Sequence, residues 1–336
     1  MNKIAKTVLM TGTALCAAGV VLSTAGYFAG GKDFTYTSDH MYVSGGNSSS
    51  RKNLTVMKKE QIDDFSKLNV NFENFDLDIR TSDDDHYYME YKLEKNGRKN
   101  PLTWKDKDGE LTLEESAGGS GSYYITYDLG IFSTHADLTE KKDALNTVVL
   151  YIPEKAQLSE AELQLSDGDL AAAQLLCKEM TLELLNGDLM LDKGEFEKFD
   201  AKLSDGDLNV KELQCTDNMQ LKSGNGDVTI KKAELADGQI ALSDGDIQID
   251  NSSFNGDMKI NSSCGDVSVE MKNGSAEKTN IYLKATDGDV DTEGLSRGKT
   301  DNEEDTSVYE NKAGASAPTL NVECSDGDIT LTESEK

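Results

Sequence analysis

The chain has 336 residues, of which 62 are acidic and 34 basic, giving a formal net charge of −28. That balance excludes nucleic acid as an expected partner, because phosphate binding needs a basic footprint. With 37% hydrophobic residues the chain is too apolar for a solvated acidic tail, and its length allows one long domain or two short ones.

Lys3 and Lys6 precede an uncharged run of 24 residues from Thr7 to Gly30. As a helix that run would span about 36 Å, enough to cross a bilayer. Residues 1–31 are therefore expected to form a transmembrane anchor or a signal segment. The two lysines on the short side predict an N-terminus inside, with the acidic remainder extracytoplasmic. Ser23-Thr24-Ala25 also places small residues where signal peptidase would cut after Ala25, which would release a secreted protein. Leu15 before Cys16 argues against a lipoprotein, and Gly26 and Gly30 have the spacing that lets a second helix pack closely. Residues 32–53 are polar, include Gly45-Gly46-Asn47-Ser48-Ser49-Ser50, and read as a linker.

Strand-like alternation begins at Leu54 and Val56. It continues through Leu68, Val70 and Phe72, then Phe75, Leu77 and Ile79, then Tyr87, Met89, Tyr91 and Leu93, with Leu111, Leu113 and Val148 to Ile152 after them. Period-two alternation marks strands with one buried face. Residues 54–160 are expected to be irregular coils that cap a larger repeat. An insertion at 116–146 carries Tyr123, Tyr124 and Tyr127, which fit either ordinary strand chemistry or an exposed patch.

From residue 161 to 331 a Gly-Asp pair returns at Gly168, Gly187, Gly206, Gly226, Gly245, Gly265, Gly288 and Gly327, with first steps of 19, 19, 20, 19 and 20 residues. A fixed period of this kind marks a solenoid. With glycine at zero, positions −7, −5, +2 and +4 are apolar columns, as in Leu182, Leu189 and Leu191 or Leu221, Val228 and Ile230. Each coil is therefore expected to hold two short strands joined at an Asp-Gly corner, where the glycine supplies the backbone freedom a tight turn needs. A further apolar column lies at +9: Cys177, Phe196, Cys215, Leu235 and Phe254. Stacked coils bury a continuous core that no single coil could bury alone. The expected fold is all-β: a single-stranded, right-handed parallel β-solenoid of about 19–20 residues per coil, spanning 54–335. Residues 292–318 are charged and small, and read as an exposed loop insertion.

Two columns of acids line the corners. Position +1 is always Asp, and position −1 runs Asp167, Asn186, Asp205, Asn225, Asp244, Cys264, Asp287 and Asp326. Like charges one strand apart repel by about 0.9 kcal/mol in water. The carboxylates can offset this by capping backbone N–H groups as Asx turns. Alternatively divalent cations, calcium being the candidate, can bridge Asp205, Asp207, Asp244 and Asp246. The nonapeptide calcium repeat is absent. Cys177 and Cys215 share one inward column two coils apart, about 9–10 Å, too far for a disulfide. Cys264 and Cys324 fall in other columns, and no Cys/His cluster suggests zinc. His40, His86 and His135 all lie outside the repeat, and no nucleophile motif or phosphate loop is present. No enzyme activity is expected.

The run "LNVNFENFDLDIRTSDDD", the junction "VVLYIPEKAQLSEAELQLSDGDL", the repeated "LSDGDL" and "KSGNGDVTI" units and the closing "LNVECSDGDITL" resemble the bacterial putative-adhesin family of β-strand-repeat domains of unknown function. The resemblance covers about residues 54–332. It implies a β-solenoid on the outer face of a bacterial membrane, often in Gram-positive species, and brings no catalytic motif. The leading expectation is a non-catalytic surface module that binds a cell-surface protein or polysaccharide. The alternative is an accessory or sensor protein in envelope-stress signalling. A polysaccharide-cleaving enzyme would need a cluster of acidic and basic groups that no segment supplies.

Overall fold

The computed structural model describes residues 34–36, 41–43, 54–117 and 145–335, apart from 293, 294, 296, 297 and 304. The expected membrane segment at 7–30 and the tyrosines at 123, 124 and 127 lie outside the described residues. Among the described residues no helix is long and apolar enough to cross a membrane. Two compact units are present. The first, 1–54 with 118–141, contributes one antiparallel strand pair, Phe34–Tyr36 with Met41–Val43, inside the stretch read as a linker. The second, 55–117 with 142–336, is the solenoid.

Each solenoid coil runs up to the Gly-Asp corner along a first wall and away from it along a second. Strands Leu175–Asn186, Leu189–Asp205, Leu208–Asn225 and Ala233–Asp244 pair in parallel and in register, with Leu182 beside Ala201, Leu221 and Ile240. After the corner, Leu189, Leu208, Val228 and Ile247 stack in the same way. These columns carry the core: Leu182, Leu221, Leu208, Val228 and Ile249 are all 1% exposed or less. The return segment is a third parallel wall in which Cys177, Phe196, Cys215, Leu235 and Phe254 lie side by side. The expected +9 column is thus a ladder of its own. Gly238, the one non-apolar residue at −7, has no room for a side chain, since a Cβ would meet the carbonyl of Met219.

The stack does not follow chain order at either end. Lys67–Phe72 and Asp76–Ser82 form a regular coil directly against Leu158–Leu165 and Leu170–Ala172. Glu110–Glu115 and Thr147–Pro153 lie on its other side. Leu102–Lys107 and Tyr87–Glu94 then close that end as antiparallel strands. At the opposite end the coil of Thr319–Asp326 and Ile329–Glu333 is inserted between two earlier coils, Met258–Cys264 with Val267–Met271 and Asn280–Thr286 with Val290–Asp291.

The segment 292–318 is not simply an exposed loop. Lys299–Glu303 and Thr306–Asn311 form an antiparallel hairpin laid against Asn280–Thr286. It buries Ser307, Tyr309 and Asn311, which covers the last coil. Tyr309 is the single apolar residue on its buried face, beside Ser307 and Asn311, so the alternation that marks a half-buried strand is missing from the sequence. Both ends therefore carry antiparallel covers over a parallel interior.

Candidate functional site

The corners form one continuous ridge. The Asp188 Oδ1 accepts the backbone N–H of Asp207 at 2.9 Å, and the Asp207 Oδ1 accepts that of Asp227 at 2.8 Å. The pattern runs unbroken from Asp76 through Asp169, Asp188, Asp207, Asp227, Asp246, Asp266 and Asp328 to the amide of Asp289, with every step between 2.8 and 3.0 Å. The capping expected within each turn is made instead between coils. It satisfies a backbone donor that the sharp corner would otherwise leave unpaired.

The neighbouring −1 column explains its own alternation. The Asn186 Nδ2 donates to Asp167 at 2.7 Å, and the Asn225 Nδ2 donates to Asp205 at 2.5 Å. Amide beside carboxylate replaces a like-charge repulsion with a hydrogen bond. The corner glycines are required by close approach: at every one from Gly187 to Gly327 a Cβ would strike the carbonyl oxygen of the glycine in the adjoining coil. Gly168 meets Phe75 in this way. Phe75 therefore holds the glycine position of the first coil, and Asp76 begins the ladder. Sequence reading missed both because no glycine marks the corner, although "FDLDI" at 75–79 has the right acid and apolar offsets.

A family model, Toastrack DUF4097, matches residues 65–332. The chain belongs to this family. Its Toastrack segment covers the stacked coils and both covers, and agrees with the resemblance read from the sequence. Among solved structures the chain is similar to a putative adhesin from Parabacteroides merdae, at 16% identity over 84% of this chain and 97% of that one, with a TM-score of 0.47. It is also similar to a putative lipid binding protein from Parabacteroides distasonis (12% identity, 85% and 98% covered, TM-score 0.46) and to a putative adhesin from Bacteroides fragilis (11% identity, 84% and 98% covered, TM-score 0.37). No curated protein matches the chain.

The Toastrack ridge does not gather Asp205, Asp207, Asp244 and Asp246 around one point. Asn225 and Asp227 stand between the two pairs, and Asp205 already holds the Asn225 amide. Among the described residues no three His, Cys, Asp or Glu side chains are grouped to hold a metal ion. Phe196 separates Cys177 from Cys215 in the third wall, and burial pushes the Cys177 thiol up to about 12. Cys264 is exposed at the corner in register with Asp244 and Asp326.

A buried ion pair of this Toastrack domain lies at the first coil. Arg98 Nη1 contacts Glu115 Oε1 at 2.8 Å, with their side chains only 8% and 2% exposed. Glu115 also accepts the N–H groups of Glu73 and Asn74 at 2.8 and 2.6 Å. It thereby caps the corner that lacks an Asp neighbour on that side. With the Asn74 side-chain amide, four hydrogen-bond donors converge on its two oxygens.

Two uncharged rows flank the ridge. At +3 on the second wall Met190, Asn209, Thr229, Gln248, Ser268 and Thr330 follow one another in register. At −2 on the first wall stand Ser166, Ser204, Ser243, Ser263 and Ser325.

Proposed function

We propose that the protein is a non-catalytic, extracytoplasmic surface module that binds a neutral cell-surface polymer, protein or polysaccharide, along the second wall of its solenoid. The observation that carries this reading is the uncharged +3 row. In a chain of net charge −28, side chains offering only amide, hydroxyl and thioether groups recur on successive coils, about 4.8 Å apart. Such a row suits an extended, repeating partner. The corner carboxylates support the same reading, because each holds the next coil together and gives the row a rigid backing. In this proposal the winding is right-handed, the hand that parallel crossovers take. The uncharged run at 7–30 holds the chain in the membrane with its N-terminus inside.

The test replaces Asn209, Thr229 and Gln248 together with Glu. All three face outward, so the cost should be limited to repulsion between neighbouring carboxylates, about 0.9 kcal/mol per adjacent pair, and the variant should stay folded. Binding of the purified protein to bacterial cells and to isolated cell-wall polysaccharide should fall at least tenfold. Unchanged binding by a folded variant would remove the second wall as the binding face.

A further inference from the structure

We propose that a groove at the C-terminal cover, which shares no residue with the +3 row, binds one sugar ring of a glycan. It lies at the beginning of strand Asn280–Thr286, lined by Ile281 and Asn311 as well as Tyr282 and Glu310, and has a volume of about 410 Å³. That volume is within the range of small-ligand sites, about 300–1,000 Å³. Tyr282 stands on the strand between Glu310 of the hairpin and Asn321 of the inserted coil. Glu310 and Lys312 face the groove 3.8 Å apart, and Thr319 lines its far side.

The groove has a preformed wall. The Asn280 side chain accepts the N–H groups of Ala313 and Gly314 at 2.9 and 3.2 Å. Its amide donates to the carbonyls of Gly314 and Ala317 at 2.9 and 3.0 Å. One side chain thus pins the whole exposed bend between hairpin and inserted coil. Gly314 there has φ +152° and open space where a Cβ would stand, so the bend is shaped by backbone and not by core packing. Among the described residues the Tyr282 and Thr319 hydroxyls make no hydrogen bond.

The chemistry favours a sugar over an acyl chain. A pyranose has an apolar C–H face that stacks on an aromatic ring and a rim of hydroxyls that both donate and accept. Tyr282 offers the ring, Glu310 an acceptor, Lys312 a donor, and Thr319 both. An acyl chain would leave the Glu310 and Lys312 charges at its side and would gain little burial in a groove open to water.

The experiment is isothermal titration of the full-length protein with methyl β-glucoside, methyl β-galactoside, methyl N-acetyl-β-glucosaminide and, separately, palmitate. At least one glycoside should bind, Tyr282→Ala should weaken it at least tenfold, and Glu310→Gln should weaken it severalfold, with melting temperatures unchanged. The second-wall triple variant should bind that glycoside normally, which separates this site from the face proposed above. No binding of any glycoside, equal binding by Tyr282→Ala, or binding of palmitate alone would overturn the proposal.

Discussion

The Asp207 carboxylate accepts the backbone N–H of Asp227 at 2.8 Å, one coil further along the stack. The carboxylate is exposed and the amide belongs to a different turn, so this bond ties neighbouring coils and not a single corner. Asp207→Asn keeps an acceptor oxygen and should change stability by no more than about 0.5 kcal/mol. Asp207→Ala removes the acceptor and should cost about 1 kcal/mol, read as a lower midpoint in urea at unchanged slope. Equal effects of the two would mean that charge and not capping is what the corner uses.

The glycine beside it is held by sterics. Gly226 has φ +111° and faces the Gly206 carbonyl, so Gly226→Ala combines backbone strain with a backbone clash. Gly274 also has positive φ, +74°, but open space around it. Gly274→Ala should cost about 1 kcal/mol, and Gly226→Ala about 3 kcal/mol or more, since the neighbouring coil must shift. Thermal melts of the two variants give the comparison. A milder Gly226→Ala would mean that the coils sit farther apart than the structure places them.

The interior was legible because stacking forces one residue type into one column. Leu189, Leu208, Val228 and Ile247 repeat at the coil period, and each falls on the same buried wall. The ends were not legible, because the stacking partner there is remote in sequence. Nothing local to Thr319–Asp326 says that it lies between Met258–Cys264 and Asn280–Thr286. Phe75 was missed for a related reason, as the glycine rule holds only where another corner lies alongside. The acids at 205, 207, 244 and 246 were recognised as columns, but spacing alone did not show that Asn225 occupies the coil between them.

Calcium and sodium should stabilise the fold equally at matched ionic strength. One oxygen of every +1 Asp except Asp289 is already an acceptor for the next coil, and Asn186 and Asn225 offset their neighbours in the −1 column. Salt then acts only by screening the −28 net charge. A specific cation at 100 times its dissociation constant would add about 2.7 kcal/mol per independent site. Melting curves in calcium chloride and sodium chloride separate these. A gain confined to calcium, and lost when Asp205, Asp207, Asp244 and Asp246 become Asn, would restore the bridging reading.

The inserted C-terminal coil sets an order of assembly. The amides of Gly265 and Val267 donate to the carbonyls of Asp326 and Asp328, at 2.9 Å each. The Ile329 amide donates to Asp289 at 2.8 Å. One coil earlier, Gly245 and Ile247 donate to Cys264 and Asp266, which are already in place when chain growth along the stack reaches them. Gly265 and Val267 therefore have no acceptors until Thr319–Asp326 and Ile329–Glu333 dock, which requires closing a long intervening segment. Pulsed hydrogen exchange during refolding should show Gly245 and Ile247 protected first. Gly265, Val267 and Ile329 should follow together in a later phase. Protection of Gly265 and Val267 in the early phase, with Gly245 and Ile247, would mean that Met258–Met271 pairs first with another coil, and the interleaved order at this end would be wrong.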